Sequence, residues 1–171
     1  MAYADLNTLH NPTTGTAPPA SWGDQTRDNF EFLVDPPACS FYHNTTQSLS
    51  DDTTTALLGN SEYFDNGSMH DTGSNTSRMT IVTAGRYLLN ATVFFDANST
   101  GRRLVYLRVN GTTSYLLNSV APPASPTTCV VPVFKSLVLA AADYVEVLGN
   151  QNSGGALNAR LEEFMAVFIT R

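Results

Sequence analysis

From Cys39 to the end, the chain never runs far without a turn signal, and this spacing limits its fold more than any other feature. Asp65-Asn66-Gly67, Ala84-Gly85, Asn98-Ser99-Thr100-Gly101, Asn110-Gly111 and Ser153-Gly154-Gly155 separate runs rich in Val, Leu, Phe, Tyr and Thr. Those runs are strand-sized and built from strand-forming residues. Strands are expected at 39–49, 53–58, 61–66, 77–83, 85–96, 102–109, 112–119, 128–139, 143–150 and 159–170. Asn110-Gly111, set between LVYLRV and TTSYLL, predicts a hairpin over 104–117, because both residues accept the left-handed backbone of a two-residue turn. Many short strands with almost no helix predict an all-β sandwich or jelly roll. Only 14% of the residues are charged, against roughly a quarter in ordinary domains, which suits a strand-and-turn composition.

The strands carry more apolar surface than one sandwich core can use. In GRYLLNATVFF, Tyr87, Leu89, Ala91, Val93 and Phe95 share the face expected to form the core. In LVYLRVN, Leu104, Tyr106 and Arg108 oppose Val105, Leu107 and Val109, and neither face is cleanly polar. The closing run EEFMAVFITR goes further. Phe164, Ala166 and Phe168 lie on one face and Met165, Val167 and Ile169 on the other, so both faces are apolar. Exposed apolar patches of that size mark interaction surfaces, so the spare face is expected to meet another subunit. Phe164, Met165, Val167, Ile169 and Leu107 are the candidate interface residues.

Residues 1–38 have a different character. Asn11-Pro12, Pro18-Pro19 and Pro36-Pro37 favour extended or turn backbone and mark an arm ahead of the domain expected over 39–171. Between the prolines, Ser21 with Asp24 forms a helix start, and Asp35-Pro36 forms a stop. Trp22, Thr26, Phe30 and Leu33 recur at helical spacing. A helix of about 13 residues with one apolar stripe is marginal alone, so it needs a surface to pack on.

The formal charge of -6 argues against nucleic acid or an anionic membrane as partner. Arg102-Arg103, the one adjacent basic pair, reads as hairpin decoration. The N-terminus shows no basic region followed by an apolar run, so no secretory signal is expected, and no stretch approaches the roughly 20 apolar residues of a membrane span. The N-x-Ser/Thr sequences headed by Asn44, Asn66, Asn75, Asn90, Asn98 and Asn110 then read as by-products of composition. Cys39 and Cys129 lack metal or redox spacing and read as small buried residues, with an inter-strand disulfide left open. His10, His43 and His70 are scattered, and D-N-G-S-M-H-D over Asp65–Asp71 fails the calcium-loop spacing, so His70-Asp71 reads as a solvated turn. Glu162 and Glu163, adjacent on a strand, are expected on opposite faces, which removes them as a catalytic pair. Neither a nucleophile elbow nor a phosphate loop is present. No enzyme and no cofactor is expected. Tyr42, Tyr63 and Tyr115 qualify as saccharide-stacking residues by type alone and read first as strand residues.

Ala84-Gly85-Arg86-Tyr87-Leu88-Leu89, followed by Val93-Phe94-Phe95, resembles the G-x-Y-x-F-x-F strand of the C1q and tumour-necrosis-factor-like jelly rolls. LAAADYVEVLGNQNSGGALN resembles that family's L-x-x-G-D-x-V-x-V strand and Gly-rich loop, and EEFMAVFIT its closing F-x-G-x-L strand. Ala142 stands where the family carries Gly before Asp143, Leu89 where it carries an aromatic residue, and Ala166 where it carries Gly. The resemblance covers about residues 39–171 and implies ten strands in two sheets, assembled as a homotrimer with the C-terminal strand near the threefold axis. The segments SWGDQTRDNFEFL, YHNTTQSL and FDNGSMHD are most similar to short jelly-roll proteins of tailed bacteriophages. That similarity implies a non-enzymatic structural protein on the virion surface, made in the host bacterial cytoplasm. Its first reading is a capsid decoration or head-spike protein, a minor capsid component, anchored to phage structural proteins through Trp22, Phe30 and Leu33 of the arm. Its second is a tail fibre or receptor-binding tip that recognises a host-surface glycan or protein.

Overall fold

The computed structural model describes residues 20–122 and 127–170, with side chains from Gly23 onward. Helix α1 (Ala20–Val34) leads into β1 (Ala38–Tyr42), β2 (Gln47–Leu49), β3 (Thr55–Ala56), β4 (Ser61–Asp65), β5 (Arg78–Thr80) and β6 (Gly85–Phe95). There follow β7 (Arg103–Val109), β8 (Thr113–Val120), β9 (Cys129–Leu139), β10 (Tyr144–Gln151) and β11 (Leu157–Thr170). They form two sheets. The first has the order β4-β1-β11-β6-β9, with β2 also on β11, and the second the order β3-β10-β7-β8, with β5 also on β10. Every pairing is antiparallel.

Alternation fixes which way each strand faces. Tyr87, Leu89, Ala91, Val93 and Phe95 of β6 are buried between the sheets, as expected, with Val131 and Val133 of β9 beside them. Val105 and Leu107 of β7 and Val145 and Val147 of β10 close the core from the second sheet. Asn110 and Gly111 adopt φ of 51° and 70°, and the β7–β8 hairpin turns there.

The run expected as one strand over 39–49 is two. β1 pairs with β11 at Phe164–Val167, whereas β2 pairs with it at Leu157–Ala159. Between those stretches β11 bulges, its register on β6 shifting between Leu161 and Glu163. On this side the chain leaves β11 at the bulge, after the His43 N–H donates to the Leu161 carbonyl, whereas β6 on the other side pairs across it.

Two features close the ends of the sandwich. At one end Phe32 of α1 packs edge-on against Phe168 at 5.1 Å between ring centroids, and Phe168 meets Tyr87 in turn. Asn66 ties the helix exit down, donating to the Asp35 carboxylate and the Pro36 carbonyl and accepting from the Ala38 N–H. At the other end Arg103 is fully buried and donates to the carbonyls of Asn98, Thr100 and Arg102. Burial lowers its pKa. Cys39 and Cys129 are free and buried, and burial pushes both thiols up.

Candidate functional site

The outer face of the first sheet lacks a covering layer among the described residues, and the register shows what it presents. Phe134, Asn90, Met165, Ser40 and Phe64 stand opposite one another in a single row across β9, β6, β11, β1 and β4. A second row holds Ser136, Leu88, Val167 and Ala38. The β9 edge is the most apolar part. Phe134 is 78% exposed and Val138 71%, with Val130 beside them.

The interface candidates divide on this geometry. Met165 and Val167 are half-buried and Ile169 is exposed, all on the outer face as the alternation requires. Phe164 and Leu107 are corrected, because they are 0% and 1% exposed within a single chain. Phe164 points inward onto Phe41, and Leu107 lies in the core from the second sheet, so neither is available to a partner. Phe134 and Val138 are instead the exposed apolar residues of that face, and the apolar residues on both faces of CVVPVFKSLVL already carried that signal.

At the opposite edge of this face lies a groove of about 500 Å³, lined by Tyr63, Phe64, Thr92, Phe94, Glu162 and Glu163. The expectation that the two glutamates oppose each other fails, because the β11 bulge turns both toward the groove. Glu162 forms an ion pair with Arg160, whose guanidinium stands over the Phe94 ring. Glu163 accepts from the Ser40 hydroxyl and has no basic partner among the described residues. Tyr63 is exposed and stacks on Tyr42 at 4.5 Å, while Tyr115 lies under Lys135.

The helix presents a second surface. Phe30, Leu33 and Val34, at i, i+3 and i+4, are all exposed, and Asn29 and Phe32 form the buried side instead. The stripe expected through Phe30 and Leu33 therefore faces away from the domain. Trp22 belongs to α1, but its side chain lies outside the described residues, as does His10.

His70 is no solvated turn. Its ring is buried, stacked on Phe41 at 3.8 Å, with Nδ1 at the Glu62 carboxylate and Nε2 at the Thr76 carbonyl. The Asp65 carboxylate accepts from the Met69 and His70 N–H groups, which makes this a structural knot. Among the described residues no group of three or more His, Cys, Asp or Glu side chains is placed to hold a metal ion. No described helix is long and apolar enough to cross a membrane.

No protein-family model and no curated protein matches the chain. Solved structures do. The globular domain of zebrafish complement 1qA protein is 20% identical with a TM-score of 0.58, over 79% of this chain and 98% of that one. Eiger TNF from S. frugiperda is 18% identical with a TM-score of 0.50, over 78% and 94% of the two chains. Murine APRIL is 14% identical with a TM-score of 0.51, over 74% and 98%. At these identities the similarity is one of architecture, and it establishes the fold of residues beyond the helix as a jelly roll of the C1q and tumour-necrosis-factor type.

Proposed function

We propose that this chain is a non-enzymatic structural protein of a bacteriophage particle, a homotrimer that decorates the capsid surface and is anchored through its N-terminal arm. One observation carries the self-association: a sheet face bearing Phe134, Val138, Leu88, Met165 and Val167 with no described residue of its own chain laid over it. Apolar surface of this extent is stable in water only when covered. The exposed Phe30, Leu33 and Val34 of α1 support a second contact, at the base of the domain, for the particle itself. The phage assignment rests on the resemblance of the arm and of YHNTTQSL and FDNGSMHD to phage jelly-roll proteins.

Sedimentation equilibrium of the full chain tests the first half, with three times the chain mass expected. Imaging particles that carry a C-terminal label tests the second. Label spread over the head supports capsid decoration. Label confined to the tail end replaces it with the receptor-binding reading, and absence from particles overturns both.

A further inference from the structure

The His70 ring stands between two hydrogen-bond acceptors. Its side chain is fully buried against Phe41, with Nδ1 2.8 Å from a Glu62 carboxylate oxygen and Nε2 3.1 Å from the Thr76 carbonyl. A carbonyl oxygen only accepts, so Nε2 carries a hydrogen. A neutral imidazole has one N–H, and its Nδ1 would then turn a lone pair on the carboxylate. Both contacts are made together when the ring carries two hydrogens and a positive charge. The other charged or titratable groups around the ring are few. From β4, the Asp65 carboxylate accepts from the His70 N–H; from β1, Cys39 lies beside Glu62 and Asp65; from the loop and β5, Asp71 and Arg78 line the adjoining pocket. What the ring holds is a crossing between the sheets. Residues 66–77 run from β4 of the first sheet to β5 of the second, where the Ser77 hydroxyl and Arg78 meet the Glu146 carboxylate. The Thr76 carbonyl also accepts from the Gly59 N–H at 2.8 Å.

We propose that His70 is a proton-operated latch on this crossing: the doubly protonated ring grips Glu62 and the Thr76 carbonyl at once, and the neutral ring releases Thr76. The bond to the carboxylate is charge-assisted and the stronger of the two, so the single hydrogen of the neutral ring stays on Nδ1. The Nε2 lone pair then faces the carbonyl lone pairs, and residues 71–77 lose their hold on β4. The direction follows from the proton count, closed on the acid side and loosened as pH rises. β4 also carries Tyr63 and Phe64 on the wall of the groove, so one buried proton sets how firmly that wall is braced. The latch is independent of self-association, and neither result decides the other.

The test follows the full chain by NMR from about pH 6 to about pH 8.5. Long-range nitrogen–proton correlations should show hydrogen on both His70 nitrogens at the acid end and on Nδ1 alone once the ring is neutral. The Gly59 N–H reports on the Thr76 carbonyl. Its protection from hydrogen exchange, corrected for the intrinsic effect of pH, should fall roughly tenfold as the ring loses its proton. Glu62→Gln is the control, because its amide can donate to the Nδ1 of a neutral ring while Nε2–H stays on Thr76. In that variant Gly59 should remain protected across the whole range. A single hydrogen on the ring at the acid end, flat Gly59 protection in the wild type, or an equal fall in Glu62→Gln overturns the latch. Should Glu62→Gln fail to fold, the wild-type titration alone decides.

Discussion

Ala142→Gly isolates one residue's backbone cost. Ala142 sits in the β9–β10 turn with φ of 71°, a region that L-residues avoid because Cβ crowds the following carbonyl. The turn is held there by its surroundings. The Ala142 N–H donates to the Ile81 carbonyl at 2.8 Å, and the Asp143 carboxylate accepts from the Ala140 N–H at 2.7 Å. An alanine in this region costs about 1–2 kcal/mol that glycine avoids. Glycine in turn makes the unfolded chain more disordered, which offsets roughly 0.5–1 kcal/mol. The net gain is about 0.5–1 kcal/mol, or a rise of about 1–3 °C in melting temperature for a chain of this size. The control is Ala141→Gly one residue earlier, exposed and without positive φ, which should lose about 0.5–1 kcal/mol. Calorimetry at one fixed protein concentration compares the three proteins, since self-association would otherwise move the transition. A melting temperature for Ala142→Gly at or below that of Ala141→Gly would refute the reasoning.

Three further outcomes are expected. Val167→Asp places an unpaired carboxylate on the outer face and should abolish self-association in sedimentation while leaving the chain folded; unchanged mass would remove that face from the interface. Phe32→Ala should lower the melting temperature, because Phe32 packs on Phe168, whereas Phe30→Ala with Leu33→Ala should leave it unchanged and weaken attachment to particles; the reverse pattern would invert the roles of the two helix faces. Stability should also fall in alkali. Burial raises Tyr87 from 10.0 to about 12 and raises the Cys39 thiol above its ordinary 9.0, so the folded chain holds protons that the unfolded chain has released. That contribution is intact below about pH 9 and declines as pH climbs toward 12, so urea midpoints that stay flat from pH 8 to 11.5 would contradict it.

What could be read from the sequence is what local physics decides. β6 alternates without interruption, and Asn110-Gly111 can make few turns other than the one observed. The helix was readable as a helix, but its docked side was not. Counting apolar residues favours the stripe through Phe30 and Leu33, whereas Phe168, from a strand more than a hundred residues later, selects Phe32. The break within 39–49 escapes detection because His43–Thr46 contains neither Gly nor Pro, and its cause lies on β11. The groove depends on the same distant feature. Nothing in the letters Leu161-Glu162-Glu163 announces a bulge, so the two carboxylates look opposed until the sheet brings their strand against β6.

That bulge also sets the parity of the last strand. Above it the inward residues are odd-numbered, Leu157, Ala159 and Leu161; below it they are even-numbered, Phe164, Ala166 and Phe168. The bulge absorbs Glu162, so Leu161 and Phe164, three residues apart, both reach the core; a regular strand over the same residues would turn Phe164 and Phe168 outward. Deleting Glu162 would therefore remove the irregularity and keep the phase. Leu161, Glu163 and Phe164 would alternate without a break, and Met165, Val167 and Ile169 would stay on the outer face.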